Sequence, residues 1–463
     1  MATRVGGPRN EIITVPKKIL LECFNLALPK GTGIKTYALT LAKIARSLGY
    51  DIDALLQTNS HLSTKDPLLA EIAFHEGVAR SNWRDKFVRN PLEIALGKPF
   101  GIETRALPNS GFVAHSEPSQ AQHLFSRQLA AYRFTTAARR HFWRHRELAT
   151  LRLDAPPDLF HATHPVPIRV KGCPNIYTVH DVIPMRLPRA TLDNKKYFLN
   201  SLRAICASAD HIVTVSECSK RDILTLIDMP EDKISVTYQS VAFPPDLLAR
   251  SQDDTAAILH NVYGLEPQGY FLYFGALEPK KNVSRLIDAY AASGSAAPLV
   301  IAGGLGWSYE AEVEQMKQDK FSSWRIAQDR IHRERKVRHL DHPPLSHLVA
   351  LIRGARAVLF PSLYEGFGLP VLEAMMLGAP VMTSNLSSLP EVAGEATLMV
   401  DPYDLDSMTQ AIKALDHDAD LRADLVARGL EQAKKFTPEI YSERVSTLYR
   451  KLLGDDVRRV ATG

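Results

Sequence analysis

The chain has 463 residues, of which 45% are hydrophobic and 23% charged, and carries a formal net charge of +5 at pH 7. At about 150 residues per domain this length predicts two or three domains, and the apolar fraction excludes a disordered or fibrous chain. Cys23, Cys173, Cys206 and Cys218 lie far apart with no C-x-x-C pair, which argues against a disulfide scaffold or zinc ribbon and for a reducing compartment.

The stretch from Met1 to Lys18 lacks the apolar core of a secretory signal, and no uncharged apolar run reaches the roughly 18 residues of a membrane span. The expectation is a cytoplasmic protein, at most peripheral at the inner face of the plasma membrane. Lys18 to Leu28 reads as a strand ending in the loop Pro29-Lys30-Gly31-Thr32-Gly33. Tyr37, Leu41, Ile44 and Leu48 then recur at helical spacing, Gly49 is a stop, and Tyr50 to Leu55 alternates like a strand. That is one βαβ unit. Residues 56–158 lack a clean period and form a basic insertion: Arg127 to Arg152 holds seven arginines against Glu147 alone, interleaved with Tyr132, Phe134, Phe142 and Trp143. Such a stretch is either a solvated basic face or a surface for anionic lipid.

Strands resume at Leu159–His164, Ile176–His180 and His211–Val215, and Ser216 precedes or caps a helix bearing Ile223, Leu224 and Ile227. The text loosens between about Ser240 and Gly269, where a domain boundary falls. A second alternating series follows, with strands Tyr270–Phe274, Leu299–Ala302, Val337–Leu340, Ala357–Phe360 and Pro380–Thr383. Within it, Lys317 to Arg338 is a second basic stretch. The fold class is therefore α/β: two Rossmann-like, doubly wound parallel-sheet domains facing a central cleft, with ligands at the carboxyl ends of strands. The expected division is 1–250, then 251–437, with the periodic helix in 438–463 returning to the first domain.

The most informative stretch is Phe360-Pro-Ser-Leu-Tyr-Glu365-Gly-Phe-Gly-Leu-Pro370-Val-Leu-Glu373, closed by Gly378. A glycine-bearing loop runs into a helix with proline in its first turn, so free backbone N–H groups and a positive dipole end favour phosphate. Glu365 and Glu373 flank that junction and can accept hydrogen bonds from sugar hydroxyls. On spacing alone, Glu373 also suits a helix start, and Ser362 to Glu365 also fits a capping box that the glycines would break. Asp51-Ile52-Asp53 matches a metal-binding Asp-x-Asp, yet both carboxylates are expected to face solvent. His161 and His164 would point to opposite faces of a strand. No required metal or other cofactor is expected.

Glu365 and Glu373, with seven residues between them behind Phe-Pro-Ser-Leu-Tyr, resemble the E-x7-E motif of the retaining family-4 glycosyltransferases, which have the GT-B fold. The resemblance continues through Val381 to Gly394 and Asp401-Pro-Tyr-Asp404, and is dense from Tyr270 to about Leu415. It implies that Glu373 holds the ribose of a sugar nucleotide, that Glu365 contacts the transferred sugar, and that Phe367, Gly368 and Leu369 supply backbone contacts. Gly275 to Asn282 is similar to the family's other donor element. Lys281 aligns with its phosphate-binding lysine, while Ala276 stands where many members carry arginine, so either Lys280 compensates or this branch of the family does without it. Gly31 and Gly33 resemble the loop facing the donor diphosphate. His180, in Thr178-Val-His-Asp-Val-Ile-Pro184, is similar to the histidine of bacterial mannosyltransferase-like members that hydrogen-bonds the donor sugar.

The resemblance thus implies a retaining, metal-independent transferase, with His180, Glu365 and Lys281 as catalytic residues. The donor would be GDP-mannose, with UDP-sugars open; the acceptor would be a glycan or lipid-linked glycan, the membrane a peripheral partner, and nucleic acid none. A non-catalytic nucleotide-sugar or glycan-binding protein of the same fold is the alternative. The reading requires Glu365 and Glu373 to point into the cleft and not to be buried in contacts of their own.

Overall fold

The computed structural model describes residues 16–27, 33–59, 66–75, 98, 100–108, 112–113, 122–306, 309–318, 322–327 and 330–454. The chain divides into two compact units, one of residues 1–178, 200–212 and 442–463, the other of 179–199 and 213–441. This division falls elsewhere than the sequence boundary at 250. The chain after strand Asn175–Thr178 leaves that strand's unit and packs its backbone on the loop around Gly366, where a Cβ would meet the His180 carbonyl oxygen at 2.7 Å.

In the first unit, consecutive strands lie in the order Asn175–Thr178, Leu159–Ala162, Lys18–Glu22, Asp51–Thr58, Arg127–Tyr132 and Arg105–Ala106. All neighbours are parallel except the last pair. Ile19 stands opposite Ile52 on one side and Leu159 on the other, all without exposed surface. Being buried on both faces, these strands read as near-continuous apolar runs. Helix Gly33–Ser47 lays Tyr37, Ala38, Leu41, Ala42, Ile44 and Ala45 inward, and Gly49 at φ +87° lets the chain turn into the next strand. From Lys18–Glu22 the chain proceeds outward to Asp51–Thr58 and Arg127–Tyr132, then returns to the opposite side of Lys18–Glu22 with Leu159–Ala162. The topological switch point therefore lies between these two strands.

The basic insertion contains order that its composition hides. Helix Phe134–His145 follows strand Arg127–Tyr132, and Ala149–Arg152 joins a small parallel sheet with Ile102–Glu103 and Ile168–Val170. Phe134 and Phe142 are core residues, so of the interleaved aromatics only Trp143 is strongly exposed, at 65%. An aromatic face available to lipid is thereby reduced to one ring. Asp53 does not face solvent as expected. It is buried and paired with Arg127 at 2.9 Å, because its register on Asp51–Thr58 sets it opposite Arg127 on the next strand. The second basic stretch holds an antiparallel pair, Ser322–Ala327 with Arg330–Arg335.

In the second unit six parallel strands lie in the order Val337–Leu340, Leu299–Ala302, Phe271–Phe274, Ala357–Phe360, Val381–Ser384 and Leu398–Val400. The order reverses beside Phe271–Phe274, so the switch point falls between it and Ala357–Phe360. The helix Pro438–Leu453 enters the first unit at residue 442. Within that unit Tyr449 is fully buried, 2.9 Å from His161 Nδ1 and edge-on to Tyr50, while Lys17 donates to the carbonyl oxygens of Leu453 and Gly454 at 2.6 and 2.9 Å. The four cysteines are unpaired thiols, and among the described residues no helix is long and apolar enough to cross a membrane.

Candidate active site

Two loops leave the switch point of the second unit. The first follows Phe274 and makes a short 3-10 turn, Pro279–Lys281; the second follows Phe360 and enters helix Leu369–Met376. Backbone and side-chain bonds stitch them together. The Lys280 carbonyl accepts from Leu363 N–H at 2.8 Å and lies 3.0 Å from Ser362 Oγ. Asn282, at φ +62°, donates through Nδ2 to the carbonyls of Pro361 (3.2 Å) and Pro402 (2.8 Å). Lys281 and Glu365 are thereby held face to face, Nζ 2.6 Å from Oε1, both nearly buried. Ser362 Oγ donates to the same oxygen at 2.7 Å, so the Ser362–Glu365 spacing serves a side-chain contact and not a capping box. Lys281 Nζ also sits 5.0 Å from the centroid of Phe360, which stacks on Tyr273.

The electrostatics follow from this crowding. Burial alone would push the Glu365 carboxyl up, yet Lys281 and Lys280, with hydrogen bonds from Lys281 and Ser362, hold it below its ordinary value. Lys280 pairs with Glu278 at 3.5 Å; burial works against its charge, but Glu365, Asp181 and Glu278 outweigh that and raise it. Burial raises Asp181, with Lys280 and the Ile183 N–H drawing it partly back. Glu373 is different. Burial pushes its carboxyl up to about 7, with Lys281 opposing, and among the described residues nothing hydrogen-bonds it. It lies in the second turn of helix Leu369–Met376, beyond the reach of the helix-start role. Glu365 is thus engaged, but by the lysine read as the phosphate ligand, whereas Glu373 keeps its acceptor capacity.

The loop between them has little freedom. Gly368 adopts φ +109° as the residue before the helix, where a Cβ would meet Leu389 at 2.7 Å. Phe367 turns its ring inward against Tyr238 and Phe436, and its carbonyl accepts from Ser388 Oγ at 2.8 Å. Leu369 and Pro370 open the helix, and Gly378 at φ +73° closes it. Among the expected residues, Gly31 lies outside those described, and Gly33 begins helix Gly33–Ser47 in the first unit, exposed. His180 is half-buried and belongs to the same unit as Glu365.

Sequence reasoning assigned no role to the serines and carboxylates that fix His180 there. Ser219 Oγ donates to the His180 carbonyl at 2.9 Å and lies 3.2 Å from the Gly366 carbonyl, which Ser216 Oγ meets at 2.7 Å. Ser216 also caps helix Glu217–Leu226, accepting from Ser219 N–H at 3.0 Å, and Glu391 accepts from the N–H groups of Glu217 and Cys218. Asp222 joins Tyr364 and Arg186 in one network. The only sequence signal for these was the capping serine. Their partners are distant in the chain.

Two Rossmann-like units in one chain, one of them presenting lysines and carboxylates on its switch-point loops, are the parts of a GT-B fold. Residues 258–432 match the glycosyl transferases group 1 model and residues 108–242 the glycosyltransferase family 4 model. The chain is 36% identical over 282 residues to an O-antigen chain mannosyltransferase B of Escherichia coli, covering 60% of this chain and 70% of that one. It is 30% identical over 239 residues to an O-antigen chain mannosyltransferase of Salmonella typhimurium, covering 52% and 60%. Among solved structures, Anabaena Alr3699/HepE in complex with UDP and glucose aligns with a TM-score of 0.61 at 15% identity, covering 94% of this chain and all of that one. WaaG, a glycosyltransferase involved in lipopolysaccharide biosynthesis, aligns with a TM-score of 0.57 at 14% identity, covering 94% and 100%. The chain belongs to the group 1, family-4 glycosyltransferases of GT-B fold, and its activity is glycosyl transfer.

Proposed function

We propose that the chain is a retaining mannosyltransferase of polysaccharide biosynthesis, moving mannose from GDP-mannose to a glycan or lipid-linked glycan. The observation that carries this reading is the Lys281–Glu365 pair, 2.6 Å apart where the strand order reverses. The O-antigen mannosyltransferases to which the chain is similar supply the sugar and the pathway class. Lys281 and Lys280, with the backbone N–H groups entering helix Leu369–Met376, meet the charge that develops on a departing diphosphate. Glu373 accepts from ribose hydroxyls, Glu365 orients the transferred hexose, and His180 hydrogen-bonds its ring substituents.

The bond from the anomeric carbon to the phosphate oxygen breaks with its electron pair leaving on that oxygen. The acceptor hydroxyl attacks from the same face, and its proton passes to the leaving oxygen. No metal is needed, because lysines and the helix end supply the positive charge. The site of action is the cytoplasm, with the acceptor brought there free or on a lipid.

Purified protein incubated with GDP-mannose should melt higher, since a ligand bound only by the folded state adds stability by mass action. It should transfer mannose with the donor's anomeric configuration kept in the product, and do so in EDTA. Lys281→Ala should abolish the melting shift and lower transfer at least about 100-fold. An equal response to UDP-sugars, inversion of the anomer, or loss of activity on chelation would each overturn the corresponding part.

A further inference from the structure

His180 and Glu365, the two side chains that the proposed reaction sets on the transferred sugar, stand on different segments, and one buried carboxylate joins those segments. His180 precedes Asp181, whose Oδ1 accepts from Ile183 N–H at 3.0 Å and leads the chain into the helical turn Ile183–Arg186. Glu365 stands on the loop after Phe360, between Tyr364 and Gly366. Asp222, on helix Glu217–Leu226, meets both segments. Its Oδ1 accepts from the Arg186 guanidinium at the far end of the turn, and its Oδ2 from the Tyr364 hydroxyl, one residue before Glu365. The Asp222 side chain is 5% exposed, whereas Arg186 keeps half of its own in water.

This joint is chemically demanding. Burial, with the bond to Asp222 next, pushes Tyr364 well above its ordinary value, so its hydroxyl keeps the proton it donates. The same carboxylate's hydrogen bond raises Arg186. A carboxylate has one oxygen for each donor, and the guanidinium compensates its charge. An amide of the same shape offers one oxygen for the two donors and no charge. The neighbouring bonds hold backbone only. Ser387 and Ser388 take the Glu365 N–H and carbonyl at 3.0 and 2.9 Å, and Ser219 Oγ, with a single proton, lies between the carbonyls of His180 and Gly366. Ser219 and Asp222 are three residues apart on one helix, so a rigid element spaces the backbone contacts and the side-chain contacts together.

We propose that Asp222 is a positioning residue: through Tyr364 and Arg186 it sets Glu365 and His180 at the spacing that the transferred sugar requires. The role rests on the transferase reading above, and Asp222 acts through its two partners rather than on the sugar. Lys280 and Lys281 belong to the other loop, which Asn282 anchors to the carbonyls of Pro361 and Pro402. Loss of the joint therefore slows transfer and spares GDP binding, since misplacing reacting groups by about 1 Å costs about 100-fold in rate.

The test measures mannosyl transfer from GDP-mannose by the full chain, beside the GDP-induced rise in melting temperature, in Asp222→Asn, Tyr364→Phe and the double variant. In each single variant kcat should fall at least about tenfold while the GDP-induced rise stays at its native size. The double variant should lose no more than Asp222→Asn, because both changes break one bond. Tyr364→Phe, which loses a single hydroxyl, keeps the test open should Asp222→Asn fold poorly. Ser251→Ala removes the cap of helix Gln252–Tyr263 and should lower the melting temperature yet keep native kcat, which separates positioning from lost stability. Native kcat in the folded single variants, losses that multiply in the double variant, or a GDP response that falls in step with kcat would overturn the role. A native chain that ignores GDP-mannose but transfers from a UDP-sugar, with the same loss in Tyr364→Phe, would sink the donor reading and leave Asp222 standing.

Discussion

Glu373 should set the pH dependence of the proposed donor site. Its carboxyl is pushed up to about 7 by burial, so between its ordinary value and that point the folded chain keeps a proton the unfolded chain has released. Stability is therefore lost as pH rises through this window, and the effect vanishes below the ordinary carboxyl range. Glu373→Gln removes the loss. The variant should melt above the native chain at about pH 8, by the equivalent of at most about 3 kcal/mol, with the two converging near pH 4. GDP binding should tighten from about pH 6 to 8 in the native chain, as the carboxylate becomes a full acceptor, and stay flat in the variant. Equal pH profiles would show that Glu373 does not touch the ribose. Glu365 behaves oppositely, because two lysines hold it ionised, and Lys281→Ala strands that buried charge.

At the scale of elements, the site depends on how closely two loops approach. Gly366 has no room for a side chain: a Cβ would lie 2.7 Å from the His180 carbonyl oxygen and 3.2 Å from Asp181 Cβ. Gly366→Ala should therefore displace the loop, destabilise the chain by about 1–3 kcal/mol and abolish GDP-mannose turnover, measured by denaturant melts beside an activity assay. Ser216→Ala removes both a helix cap and the bond to the Gly366 carbonyl. It should cost about 1–2 kcal/mol, and more turnover than a surface serine substitution with the same stability loss. Helix Glu217–Leu226 thus acts as a bracket for the donor loop, its first turn also held by Glu391.

For the whole molecule, the covalent order and the packing order differ. The chain passes between units at 178/179, 199/200, 212/213 and 441/442, so no single cut separates them. A fragment of residues 1–250 lacks Tyr449 and should fail to give a cooperative melt by circular dichroism, although it contains every described strand of the first sheet. Tyr449→Phe in the full chain removes only the contact with His161 and should cost about 1 kcal/mol, whereas Tyr449→Ala also opens a cavity and should cost about 3–5 kcal/mol.

Much of the donor site is legible in the residues themselves. Strand ends at Phe274 and Phe360, the glycines that follow, Pro370 and Gly378 are local rules of backbone conformation, written within a few positions of one another. Lys281, Glu365 and Glu373 stand out only through the resemblance of these blocks to the family's motifs; on spacing alone a helix start or a solvated Lys-Lys turn reads as well. Burial and pairing are not legible there, because they depend on which strand lies beside which. Asp53 reads as a solvent carboxylate until its neighbour strand brings Arg127 against it, and Phe134 and Phe142 read as a basic, aromatic surface until helix Phe134–His145 turns them inward. Glu22 and His164 lie far apart in sequence and become a pair only because the chain returns to the far side of its first strand. Short-range chemistry fixes elements and loops; the reversal of strand order, a property of the assembled sheet, decides which of those loops meet.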